Sequence, residues 1–162
     1  MGNINSCWAA EPPVAETLSS CVTKTTTAAH NFTVTNYSLL KGMGVGKFVS
    51  SRPFSVGGYS WQIRFYPDGD DQEHAGYAAA FLCRCDGLAA TGVQTKYTLS
   101  LRRNKDGKVH RDSKCSSKLV TCNFQQVGAG WGFSDFIEKS KLQEDCFTIR
   151  CDLTVIGKTI IL

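Results

Sequence analysis

Histidine and cysteine are the residues of this chain best equipped for chemistry of their own, and their spacing argues against it. The three histidines, His30, His74 and His110, stand far apart and fall near turns or strand ends. A Cys–His nucleophile needs the imidazole within hydrogen-bond reach of the thiol, and nothing in the spacing selects a pair. Cys83-Arg84-Cys85 sets two thiols on one face of a strand, with Cys146 and Cys151 near another. Zinc sites favour cysteines separated by two to four residues in tight turns. Cys83 and Cys151 instead fall at strand positions that want small apolar side chains, so core packing is the stronger reading. Cys7 and Cys21, near the start, read as the reactive thiols. The chain also lacks a Gly-rich phosphate loop, a Gly-flanked nucleophilic Ser and a metalloprotease His pair. These patterns predict no catalysis, no metal and no cofactor. A thiol- or zinc-dependent catalyst built on Cys83, Cys85 and a histidine is the competing enzyme-class reading.

Aromatic side chains offer a different chemistry, that of contact. Gly130-Trp131-Gly132-Phe133-Ser134-Asp135-Phe136-Ile137 reads as a Gly-rich loop that presents Trp131 and Phe133, in which glycines let a backbone approach while large rings supply area. Tyr77 opens a strand whose next residues are Ala78, Ala79 and Ala80, and Tyr97 begins an alternating strand. Rings with small neighbours on a sheet face make a shallow trough suited to an extended peptide. The competing reading, closure of one end of the core, weighs equally for Phe133 and Phe136.

Composition bounds the rest. A chain of 162 residues with 42% hydrophobic content suits one globular domain with short tails. The net charge of +4 is modest. Basic residues gather at Arg102, Arg103, Lys105, Lys108, Arg111, Lys114 and Lys118, but Asp106 and Asp112 interrupt them and few aromatics are interleaved. That reads as a solvated hairpin rather than a nucleic-acid site. No apolar run approaches the ~20 residues of a transmembrane span, and the first residues lack a signal-peptide core. The expected location is therefore the nucleus or cytoplasm, with the eight cysteines mostly reduced. Gly2 followed by Ser6 fits an N-myristoylation pattern, and Cys7 lies where a second acyl chain could attach. An unmodified tail is the favoured reading of this short pattern.

The elements that must position these residues are strands. Residues 1–27, rich in Ala, Ser, Thr and Pro, read as a disordered tail. Thereafter, short alternating segments are punctuated by Gly, Asp and Pro. Trp61, Ile63 and Phe65, then Tyr97, Leu99 and Leu101, then Phe147, Ile149, Cys151, Leu153 and Val155 each line one face of a strand. Strands are expected near 30–36, 53–56, 59–66, 77–85, 93–103, 108–111, 117–124 and 146–157. Gly57-Gly58 and Asp106-Gly107 supply tight turns. Short helical turns are expected near Leu39-Leu40 and from Ser134, as cap, to Ser140. The pattern predicts an all-β fold, an antiparallel eight-stranded sandwich with one or two short helices.

The order of motifs resembles the MATH domain, the meprin and TRAF-homology sandwich, over residues 30–156. The resemblance rests on His30-Asn31-Phe32-Thr33-Val34-Thr35-Asn36-Tyr37-Ser38, on the unbroken run from Phe54 through Val56-Gly57-Gly58-Tyr59-Ser60-Trp61 to Arg64-Phe65-Tyr66-Pro67-Asp68-Gly69, on Trp131 to Ile137, and on Asp145 to Asp152. It is most similar to plant MATH–BTB proteins, those of grasses above all, and more distantly to speckle-type POZ protein. The resemblance implies a TRAF-like, non-catalytic sandwich over 28–157, with 158–162 as a linker remnant and no BTB domain following. It implies binding of short Ser/Thr-rich segments of target proteins, with cullin recruitment only if a BTB domain is supplied elsewhere. A MATH-only chain of this kind would compete with full-length adaptors. Carried over by position, the family's groove falls at Tyr77, Tyr97, Cys122, Gly130, Trp131, Gly132 and Phe133. Cys122 stands where the family has an aromatic, and Gly130 where animal members often carry charge, which implies a different peptide preference. A TRAF-like scaffold or self-association module is the alternative within the interaction class; no heptad region is present to support trimerisation.

Overall fold

Alternation of buried apolar and outward polar residues organises this chain into two facing antiparallel sheets. The computed structural model describes residues 10–86, 92–105, 108–111, 120–124, 128 and 130–162. Its strands are β1 (Cys21–Thr35), β2 (Val49–Ser50), β3 (Phe54–Val56), β4 (Tyr59–Tyr66), β5 (Tyr77–Arg84), β6 (Val93–Lys105), β7 (Lys108–Arg111), β8 (Val120–Phe124), β9 (Gly130–Glu138) and β10 (Cys146–Ile161). One sheet runs β1-β10-β6, with β7 and β8 sharing the far side of β6. The other runs β4-β5-β9, with β2 and β3 sharing the far side of β4. The expected all-β sandwich is therefore the fold, and all eight expected strands are present.

The core forms where the inward rows of both sheets meet. Trp61, Ile63 and Phe65 of β4 and Ala78, Ala80 and Leu82 of β5 pack against Leu99 and Leu101 of β6 and Phe147, Ile149, Cys151 and Leu153 of β10. Each large side chain of this kind contributes about 1.5–3 kcal/mol by leaving water. Trp61 Nε1 donates to the Val56 carbonyl at 3.1 Å, so its one polar atom is satisfied inside. Tyr37, in a 3-10 turn over Tyr37–Leu39, sets its ring edge-on to Phe147 at 5.4 Å and closes one end. Gly57 and Gly58 adopt positive φ of 63° and 82°, making the tight β3–β4 turn that the sequence predicts.

Four local expectations differ from what is observed. The segment read as the end of a tail, 21–27, is strand: Cys21 to Thr35 pairs along β10, and β10 itself runs on through Lys158 to Ile161 instead of ending as a linker at 157. Threonine explains the difference. β-Branched residues favour extended backbone, and Thr23–Thr159, Thr27–Thr154 and Thr33–Thr148 join hydroxyls across the ladder at 2.8–2.9 Å. The segment with Ser134 as a helix cap is also strand, and only Lys139–Lys141 forms a 3-10 turn. There Ser134 Oγ donates to Asp70 Oδ2 at 2.8 Å, and pairing with β5 buries Phe136 and Ile137, which outweighs a weak capping signal. Trp131 and Phe133 thus belong to a strand, not a loop. The two-residue β2 is an addition. Pairing of β6 with β7 reaches Lys105 and Lys108; the Asp106-Gly107 turn lies outside the described residues.

Candidate functional site

The outward row of the β4-β5-β9 sheet carries a trough made by missing side chains. Alternation turns Arg64 and Tyr66 of β4, and Phe81 and Cys83 of β5, away from the core. Opposite them on β9, Gly132 faces Phe81 and Gly130 faces Cys83. A Cβ at Gly132 would overlap the Ala80 carbonyl oxygen and stand 2.6 Å from Phe81 Cα; one at Gly130 would stand 2.9 Å from Cys83 Sγ. Only glycine fits at 132, and a side chain at 130 would crowd the Cys83 sulfur; Gly130 lines a depression of about 370 Å³ together with Arg64, Tyr66, Asp70, Phe81 and Cys83.

Its walls mix apolar and polar chemistry. The Tyr66 and Phe81 rings meet edge-on at 5.6 Å, and the Arg64 guanidinium lies 4.7 Å from the Phe48 ring centre. Burial pushes the Tyr66 phenol above its ordinary value, while its hydrogen bond with Arg64 pulls the other way. Asp70 accepts from Ser134 through Oδ2, and its buried Oδ1 has no hydrogen-bond partner among the described residues. Burial also raises the Cys83 pKa, which keeps it a thiol rather than a nucleophilic thiolate. The trough can therefore hold an apolar side chain against Phe81 and a hydroxyl or amide against Arg64, Tyr66 and Asp70. β9 is the edge strand of its sheet, and Trp131 at its start stays 48% exposed.

Among the described residues, Asp70, Asp71 and His74 form a group of three potential metal donors. Asp71 Oδ1 is engaged by His74 Nδ1 at 2.8 Å, and Asp70 by Ser134. Cys85, named with Cys83 in the catalytic alternative, instead shares a hydrogen bond with Ser60 Oγ at 3.4 Å.

The candidate residues read from the sequence divide between the two sheets. Tyr77, Gly130, Trp131, Gly132 and Phe133 lie on β5 and β9. Phe133 is partly buried against the core. Tyr77 sits at the other end of β5, opposite Glu138 and edge-on to His74 at 6.4 Å, away from the depression. Tyr97 is on β6 and is only 1% exposed, so it is a core ring rather than a groove ring. Cys122 is on β8, opposite Thr95, in the same sheet as Tyr97. Gly2 and Cys7 lie outside the described residues. Sequence reading missed Phe81, Arg64, Tyr66 and Asp70. The signal available was period two along β5, which carries the row of Tyr77 past the alanines to Phe81.

Two facing antiparallel sheets with one edge strand bared by glycines define a sandwich of the TRAF-like class. The family profile of the MATH domain matches residues 29–153, and the chain belongs to that family. It is 34% identical over 160 residues to BTB/POZ and MATH domain-containing protein 5 of Arabidopsis thaliana, covering 91% of this chain and 38% of that protein. It is 36% identical to BTB/POZ and MATH domain-containing protein 4 of the same plant, covering 90% and 32%. The chain thus spans roughly a third of the length of these relatives. Among solved structures, TRAF5 of Notothenia coriiceps superposes with a TM-score of 0.54 at 18% identity, over 77% of this chain and 72% of that one, which supports the fold.

Proposed function

We propose that this domain is a protein-interaction module that binds a short extended Ser/Thr-rich segment of a target protein across the trough beside β9. The observation that carries this reading is the glycine-bared edge strand: Gly130 and Gly132 stand opposite Cys83 and Phe81 with no side chain of their own, Phe81 stays partly exposed at the depression, and Trp131 stands exposed on the same strand. An extended peptide can use main-chain hydrogen bonds at a free sheet edge and place alternate side chains in adjoining pockets. An apolar residue rests on Phe81, and hydroxyls reach Arg64, Tyr66 and Asp70. The BTB/POZ domains in the names of the relatives support a role as the substrate-recognition part of a cullin-type ubiquitin ligase adaptor, or as its competitor where no BTB domain is attached. Work in the nucleus or cytoplasm accords with that role.

A tryptophan-fluorescence or NMR titration with a panel of Ser/Thr-rich peptides tests the reading. Phe81→Ala and Trp131→Ala should each weaken binding about tenfold or more, as loss of a central aromatic contact does, with the fold intact. Tyr77→Ala and a variant of the buried Cys151 should not. Unaltered binding by Phe81→Ala would sink this placement of the site.

A further inference from the structure

The opposite face of the sandwich carries a second constellation, made of hydrogen-bond donors. Strand register aligns one outward row across three strands: Thr33 of β1 opposite Thr148 of β10, and Thr148 opposite Arg102 of β6. A depression of about 450 Å³ lies over this row and is lined by Asn31, Thr33, Thr148, Arg102 and Arg103. We propose that this face docks an acidic segment of a partner protein, at a site separate from the trough beside β9.

Charge complementarity selects the occupant. Among the described residues, three carboxylates on or just before β10 are already engaged: Glu144 with Arg103 at 3.4 Å, Asp152 with Arg150 at 2.8 Å, and Asp145 with the Ser38 amide at 2.6 Å. Arg102, partly exposed, has no hydrogen bond or ion pair among the described residues. A carboxylate beside it supplies the counter-charge it lacks, while Asn31 and the one hydroxyl proton left over by the Thr33–Thr148 pair add neutral donors. The row spans three strands about 4.8 Å apart, roughly 10 Å in all, and an extended peptide repeats side chains on one face every ~6.8 Å. Two acidic side chains of such a peptide therefore fit along it. Among the described residues that line it, Phe147 is the only aromatic, and it is buried. Proteins that bind single-stranded nucleic acid pair a basic groove with exposed rings for base stacking, so an acidic protein segment suits this face better.

The test is an amide-resolved NMR titration of the full chain with a hexaglutamate peptide, with hexaglutamine as the neutral control. Saturable shifts should be confined to the amides around Asn31, Thr33, Arg102 and Thr148, and absent with hexaglutamine. Arg102→Gln should weaken binding about fivefold, the upper range for one exposed charge pair, and Arg102→Lys should retain most of it. Added salt should weaken it further. Phe81→Ala should leave it unchanged, so this proposal and the trough assignment fail separately. Shifts spread over basic residues at large, full affinity in Arg102→Gln with native amide dispersion, or tighter binding at the row by an oligonucleotide of equal charge would overturn it.

Discussion

On the outer face of the β4-β5-β9 sheet, side chains are missing where a strand would ordinarily carry them. On the outer face of the β1-β10-β6 sheet they are knitted together. The first face leaves Phe81 partly exposed beside a depression, with Gly132 and Gly130 opposite Phe81 and Cys83. The second closes its ladder with threonine pairs at 2.8–2.9 Å and ion pairs such as Arg150 with Asp152. Both sheets nevertheless donate equally regular rows to one core. Stability therefore resides in the shared inward rows, and each outward face is free to take its own chemistry.

The comparison is broken most severely from inside. Tyr97→Ala removes a core ring from the inward row of β6 and should cost about 3–5 kcal/mol in urea unfolding, whereas Phe81→Ala on the outer row should be tolerated far better. A smaller loss is expected from Gly132→Ala. Its methyl group would drive β9 from β5, at a cost of about 1–3 kcal/mol for overpacking, and peptide binding at the trough should fall with it. Substitution on the outer threonine row should show neither effect.

The mildest test separates the sheets by proton. His30, on β1, stacks on Phe54 at 4.2 Å, and burial lowers its pKa from the ordinary value. His74, beside the other sheet, is raised by its hydrogen bond to Asp71. An NMR pH titration should place the two midpoints on opposite sides of 6.5. Stabilisation from His74 is complete below its unfolded value and fades as pH rises through its folded one. For His30 the sign reverses: stability is complete above the unfolded value and declines as pH falls toward the folded one. Asp71→Asn should return His74 to its ordinary range and leave His30 unmoved.

Much of the fold was legible because one face of each main strand is buried. The row Trp61, Ile63 and Phe65 announced β4, and Tyr97, Leu99 and Leu101 announced β6. That same row already put Tyr97 inside; counting it among the rings in excess of the core, and the family groove carried over by position, drew it outward. β9 was hard to read because glycines at its outward positions erase the alternation that marks a strand. The first half of β1 was hard for a different reason: its Thr and Ala residues bury nothing, and only pairing with β10, more than a hundred positions away, makes them a strand. The trough depends on Phe81 meeting Gly132 across two strands, a juxtaposition that spacing along one strand cannot disclose. Arg64, Tyr66 and Asp70 join it only through that packing.

Ser20 and Leu162 exchange both backbone hydrogen bonds, at 2.9 and 2.8 Å, so the chain enters and leaves the sandwich at one corner. Ladder bonds in an antiparallel pair run perpendicular to the strands. A pull applied between those two points therefore acts along the bonds and opens the β1–β10 ribbon like a zipper, one pair at a time. Pulling from opposite ends would instead have to shear the whole ladder at once. Mechanically, the domain hangs from its surroundings by a peelable seam, and its core is the last part to feel the load.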